Sequence, residues 1–269
     1  MSRATFIEVD GRRTRVRVDG DPERPPVLLV HGIGRSLEDW APQYQRLSRA
    51  HRVIALDVPG FGFSERPRGA ISLAAFARGV ADTLDSLGES RPVHVVGNSL
   101  GGAIGAQLLA QQPDRVASLA LINSAGFGSE VTPLLRMLAM PVIGPLSTRR
   151  TTRASATLFE RTIFADRSLA TKERVDHALA IGRRPDTGAV MLETAVELAT
   201  GRGVRPVATG TGLRGGRQSP TDHDHVGHAG PSAARTPHRR GPSGVPARPS
   251  APAVRCRAHA ADRVPAAVR

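Results

Sequence analysis

Ser99 stands in the run Gly97-Asn98-Ser99-Leu100-Gly101, where an apolar stretch gives way to a helical pattern. A serine in a G-x-S-x-G turn between a buried strand and a helix is lifted clear of the sheet, its hydroxyl at the helix N-terminus. Free N–H groups and the helix dipole at that point favour developing negative charge. The chemistry these residues suit is attack by the Ser99 hydroxyl on a carbonyl carbon, with Gly97 and Gly101 making room for the turn. A second constellation, His31-Gly32-Ile33-Gly34, closes an earlier apolar run. Acyl transfer asks for two N–H donors toward the oxyanion. One follows the nucleophile, here Leu100, and the other comes from the loop after the earlier strand, here Ile33. Gly32 and Gly34 allow that backbone to come close to a ligand.

A serine nucleophile also needs a base to take its proton and an acid to orient that base. No such pair is identifiable in frame. His31 reads as a brace for its own loop rather than as a base. Asp57, in "DVPGFG", reads as support for a turn, and His94 as a packed residue in a buried strand. His177 is the only histidine between Ser99 and residue 200, in a helical segment.

The elements that would position Ser99 are legible in the pattern. "TFIEVDGRRTRVRVDG" alternates around Asp10-Gly11, a hairpin signal. "PPVLLVHG", Arg52–Gly60, Pro92–Ser99 and Val116–Ser124 are apolar runs suited to strands buried on both faces. Helical patterns lie between them at Leu37–Arg49, Leu73–Leu87 and Leu100–Gln112, with Ser36 and Asp39 placed as a capping pair for the first. This alternation predicts an α/β fold, a mostly parallel sheet with helices on both faces. From about Val131 to Thr200 the strands stop and amphipathic helices take over. The expected division is a core over 1–126, a helical cap over 127–200 and a tail over 201–269.

Composition separates that tail from the rest. The chain has 269 residues and a net charge of +13, of which residues 1–200 contribute +4 and residues 201–269 contribute +9. The tail holds one leucine, nine prolines and twelve arginines, too little apolar surface to offset the entropy of ordering. A single cysteine, Cys256, and no leader-like or membrane-length apolar run predict a reducing, cytoplasmic setting.

"VLLVHGIG", "ALDVPGFGFS", "VVGNSLGGA" and "PDRVASLALINSAG" together resemble the α/β-hydrolase superfamily, over roughly residues 5–200. The similarity leans toward bacterial esterases and hydrolases of carbon–carbon bonds in ring-fission products. It implies Ser99 as nucleophile, Ile33 and Leu100 as oxyanion donors, no cofactor or metal, and a small apolar ester or ketone as substrate. It also implies an acid after a late strand and a histidine in a "G-H-x-P" turn, and neither is present.

Lys172 is the only lysine against 36 arginines, as a GC-rich gene would give. Shifting the codons of Thr221–Pro231 forward by one nucleotide permits P-T-M-I-M-W-G-T-Q-D, and the same shift over Val254–Val264 permits G-H-M-P-Q-I-E. A frameshift near Pro206 is therefore expected, leaving the chain as written inactive or very weak. Two other classes compete on the tail's features. Its arginines suit a nucleic acid or other polyanion, though no aromatics interleave them. His223, His225 and His228 with Asp222 or Asp224 form a short tract of metal-binding type, without ordered support.

Overall fold

The computed structural model describes residues 3–125, 136 and 138–199. The tail, its histidine tract and the two windows read in the shifted frame therefore lie outside the described residues.

The chain opens with β1 (Thr5–Val9) and β2 (Arg12–Asp19), paired antiparallel with Val9 opposite Arg12. Asp10 and Gly11 turn between them at φ 49° and 67°. Two positive φ values make the turn whose twist matches the flanking strands. The apolar runs then become β3 (Pro26–Val30), β4 (Arg52–Leu56), β5 (Val93–Asn98) and β6 (Val116–Ile122). Strand order is β1-β2-β4-β3-β5-β6, parallel from β4 through β6, with β2 antiparallel to β4. The fold is α/β, a mostly parallel sheet with helices.

Alternation splits each apolar run between two layers. Leu28, Val30, Ile54, Leu56 and Val95 pack with helices α2 (Leu73–Ser86) and α3 (Leu100–Gln111). Val27, Leu29, Val53 and Ala55 pack with Leu37, Trp40 and Tyr44 on the opposite face. A strand buried on both sides needs no polar alternation, which is why these runs are continuous.

Two local expectations differ from the structure. The segment 37–49 is a 3-10 turn over Leu37–Trp40 followed by helix α1 (Ala41–Leu47). Pro42 explains the break, since it has no N–H to continue a ladder yet suits a helix start. Ser36 makes no side-chain cap to that turn. Its hydroxyl donates to Glu38 Oε2 at 2.7 Å instead, while Asp39 is held by Arg35.

After β6, the described residues include four helices: α4 (Ile143–Thr148), α5 (Arg153–Ile163), α6 (Lys172–Gly182) and α7 (Thr187–Ala199). Thr152 and Ser155 exchange hydrogen bonds as a capping box for α5. The expected helical stretch from Val131 to Leu135 lies outside the described residues. No helix among the described residues is long and apolar enough to cross a membrane.

Candidate active site

Ser99 sits at the junction of β5 and α3 with φ 53° and ψ −115°. A non-glycine residue at positive φ outside the left-handed helical well is strained by about 1–3 kcal/mol, and its surroundings must hold it there. They do so from several sides. The Ser99 N–H donates to Ile122 O at 2.9 Å, and the Ser99 carbonyl accepts from Ala125 at 3.1 Å and Gly102 at 3.0 Å. The flanking glycines are needed for close approach. A Cβ on Gly101 would overlap the carbonyls of Val30 and His31, and one on Gly97 would overlap the backbone of Gly101 and Gly102. The Ser99 side chain has no hydrogen bond among the described residues and is only half-buried.

The His31–Gly34 loop lies against this turn. A Cβ built on Gly32 would stand 3.4 Å from Ser99 Cβ. Gly34, at φ 68°, is packed so that a Cβ there would meet Met191 and Phe159. Gly34, Phe159 and Met191 line a cavity of about 400 Å³, with Leu138, Ala178 and Ile181. The expected donor loop thus borders both Ser99 and an apolar cavity.

His31 is fully buried, and both ring nitrogens are committed. Nδ1–H donates to Gly32 O at 2.8 Å and Nε2 accepts the Val58 N–H at 2.9 Å. A carbonyl can only accept and an amide N–H can only donate, so the pair fixes a neutral tautomer. Burial pushes the His31 pKa down, against the opposing pull of Asp57. Asp57, also buried, accepts from the N–H groups of Leu37 (2.7 Å) and Phe63 (2.8 Å) and from Arg15 (3.3 Å). Burial raises the Asp57 pKa, while His31, both N–H groups and Arg15 oppose the rise.

The other described histidines lie elsewhere. His94 is half-buried and hydrogen-bonded to Ser118 Oγ at 2.8 Å, so it is packed against β6, but the strand is less buried there than its reading as a buried strand expected. His177, on α6, shares a hydrogen bond with Ser36 Oγ at 2.8 Å and lies 3.3 Å from Glu38 Oε2. Because Ser36 gives its only proton to Glu38, the His177 Nε2–H donates to Ser36. Burial disfavours the Glu38 carboxylate, but hydrogen bonds from His177, Arg15 and Ser36 outweigh it and hold its pKa well below the usual range. No histidine among the described residues is hydrogen-bonded to Ser99. No group of three or more His, Cys, Asp or Glu among them is placed to hold a metal ion.

Sequence reasoning missed the charged clasp beside this loop. Arg35 binds Asp39 through Nε (2.8 Å) and Nη2 (2.6 Å), and reaches Glu160 of α5 through Nη1. Glu160 is fully buried, and its second oxygen has no partner among the described residues. Burial alone would lower the Arg35 pKa, but its bonds to the two carboxylates reverse that and raise it. The i, i+4 spacing of Arg35 and Asp39 was readable, whereas Glu160 lies 125 residues away in an ordinary amphipathic helix.

A family model for the alpha/beta hydrolase fold matches residues 25–201. The chain is 30% identical over 194 residues to the dihydrolipoyllysine-residue acetyltransferase component of an acetoin cleaving system from Pseudomonas putida, covering 72% of this chain and 50% of that one. It is 40% identical over 111 residues to a 2-hydroxy-6-oxo-2,4-heptadienoate hydrolase from Pseudomonas putida, covering 40% of each. A meta-cleavage product hydrolase from Pseudomonas fluorescens superimposes with a TM-score of 0.60 at 25% identity, over 72% of both chains. The chain spans between 33% and 50% of the length of the curated relatives it matches. With the match over most of its length, its strand order and its strained turn at Ser99, the chain belongs to the alpha/beta hydrolase fold family.

Proposed function

We propose that Ser99 is the nucleophile of a hydrolase that cleaves a carboxylic ester or a carbon–carbon bond in a small apolar substrate. The observation that carries this reading is the strained Ser99 at the head of α3, beside the Gly32 loop. Holding a serine at φ 53° serves no packing purpose, since its hydroxyl bonds to nothing among the described residues. In this reading the N–H groups of Ile33 and Leu100 receive the oxyanion, Gly32, Gly34, Gly97 and Gly101 shape the backbone around it, and residues 127–200 form a cap. The substrate lies in the cavity beside Gly34, whose described lining carries no charged side chain. The likeness to a hydrolase named for a heptadienoate substrate supports the carbon–carbon alternative.

Without a base on Ser99, proton removal falls to water and turnover is very low. We also propose that the codons beyond Pro206 are read out of frame, and resequencing from Thr200 to Arg269 tests that directly. The function itself is tested with a fluorophosphonate probe on the full chain. Slow labelling at Ser99, lost in Ser99→Ala, is the expected result. Absence of labelling, or labelling that survives Ser99→Ala, would overturn the assignment.

A further inference from the structure

Helices α4 and α6 are each followed by a pair of arginines, Arg149-Arg150 and Arg183-Arg184, and the two segments meet where Thr151 bonds to Gly182. The four line a groove of about 660 Å³ in which Asp186 is the only described carboxylate. Arg184 is committed, its Nη1 donating to Gly62 O at 2.7 Å and Ser64 O at 3.0 Å. Arg149, Arg150 and Arg183 are exposed. None of the three has a side-chain hydrogen bond or ion pair among the described residues. A helix C-terminus attracts a cation, but one per end satisfies that preference. Three uncommitted guanidinium groups around one concavity exceed it.

This groove and the apolar cavity beside Gly34 share Thr148, Thr151, Gly182 and Gly188. The shared residues form a tight sill. Thr151 Oγ1 donates to Gly182 O at 2.9 Å, and a Cβ on Gly182 or Gly188 would press into Thr151 or Thr148. On one side of the sill Leu138, Phe159, Ile181 and Met191 line the cavity with several Ser and Thr and no charged side chain among the described residues; on the other the four arginines outnumber Asp186. We infer that these paired concavities bind a small amphiphile, its apolar body in the cavity and an anionic phosphate head on Arg149, Arg150 and Arg183.

The chemistry fits both ends. Guanidinium groups match phosphate oxygens in a planar fork and desolvate more readily than ammonium groups. The cavity of about 400 Å³ has room for roughly a dozen heavy atoms at the ~30 Å³ that water occupies in the liquid. Placing the reacting carbon at the Gly34 end rests on the hydrolase reading above, whereas the head-group site does not.

Binding of octyl phosphate, octanol and inorganic phosphate to the full chain by titration calorimetry, in a Ser99→Ala background, tests the inference without turnover. Octyl phosphate is expected to bind at least about tenfold tighter than either of the others at low salt, the scale of one charge-assisted hydrogen bond. In Arg149→Gln/Arg150→Gln/Arg183→Gln that advantage over octanol should vanish while octanol binding is unchanged. These are surface positions, and a circular dichroism melt confirms folding. Equal affinities for octyl phosphate and octanol would overturn the inference. So would inorganic phosphate binding as tightly as octyl phosphate, or an advantage that survives in the triple variant. Failure of Ser99 labelling leaves this result intact, so the two readings fall separately.

Discussion

His31 is wedged between a carbonyl that only accepts and an N–H that only donates, so a second ring proton would face the Val58 N–H. Its folded pKa is therefore below the unfolded value of about 6.5. Below pH ~6.5 the unfolded chain gains a proton that the folded chain refuses, so stability decreases as the pH is lowered. The stabilisation is complete above the unfolded pKa and is lost as pH drops toward the folded one. Urea unfolding between pH 7 and 5 should show a slope approaching about 1.4 kcal/mol per pH unit from this residue, absent in His31→Gln. An unchanged slope in that variant would show that His31 can be protonated in place. At this scale the sequence is informative where the determinant is local. The turn at Ser99 is written in its flanking glycines and the strand before it. The partial exposure of His94 was not legible because its surroundings depend on what packs against β5 and β6, and no residue near His94 encodes that.

The strands were legible because apolar runs of five to seven residues between turn signals have few other solutions. Their ends were over-read by a few residues, since β4 stops at Leu56 where the reading continued to Gly60. The later helices could be anticipated as amphipathic, but their attachment to the sheet could not. That attachment includes Arg35 with the buried Glu160, Arg66 with Glu193 of α7 at 2.8 Å, and Val190 of α7 in the core over the sheet. Removing one partner of a buried pair strands the other charge, typically at 3–5 kcal/mol. Arg35→Ala should therefore lower the unfolding free energy by about 3 kcal/mol or more. Glu160→Gln introduced into Arg35→Ala should recover a good part of it, since an amide is cheaper to bury than an unpaired carboxylate. Chemical denaturation of the single and double variants measures both. No recovery in the double variant would mean that Arg35 acts through Asp39 alone.

Among the described residues the sheet has one guarded and one open side. β1 ends the sheet as half of a hairpin, whereas β6 ends it as a parallel strand reading Val-Ala-Ser-Leu-Ala-Leu-Ile. Ala117, Ser118, Ala120 and Ile122 are exposed, with Ile122 at 43%. A parallel strand is normally covered on both faces, and an apolar edge with free backbone groups invites pairing with another chain. Self-association should be concentration-dependent and should fall sharply in Ala120→Lys, with the thermal midpoint little changed. Light scattering and a melt on the same samples separate those effects, and scattering unaffected by the lysine would place the sticky surface elsewhere. The apolar character of β6 was plain in the sequence. Its position as the last described strand, with His94 half-buried and Ser118 exposed, was not.

Ser99 takes its backbone support from that same edge, through Ile122 O and the Ala125 N–H. The only tryptophan, Trp40, is buried in the opposite layer with Tyr44 and Leu37, against β3 and β4. Edges open locally at lower free energy than cores, so the two regions need not melt together. Fluorescence will keep reporting a native molecule after the serine has lost its posture, and, on the role proposed for Ser99, a sample judged sound by its emission spectrum can already be chemically blind.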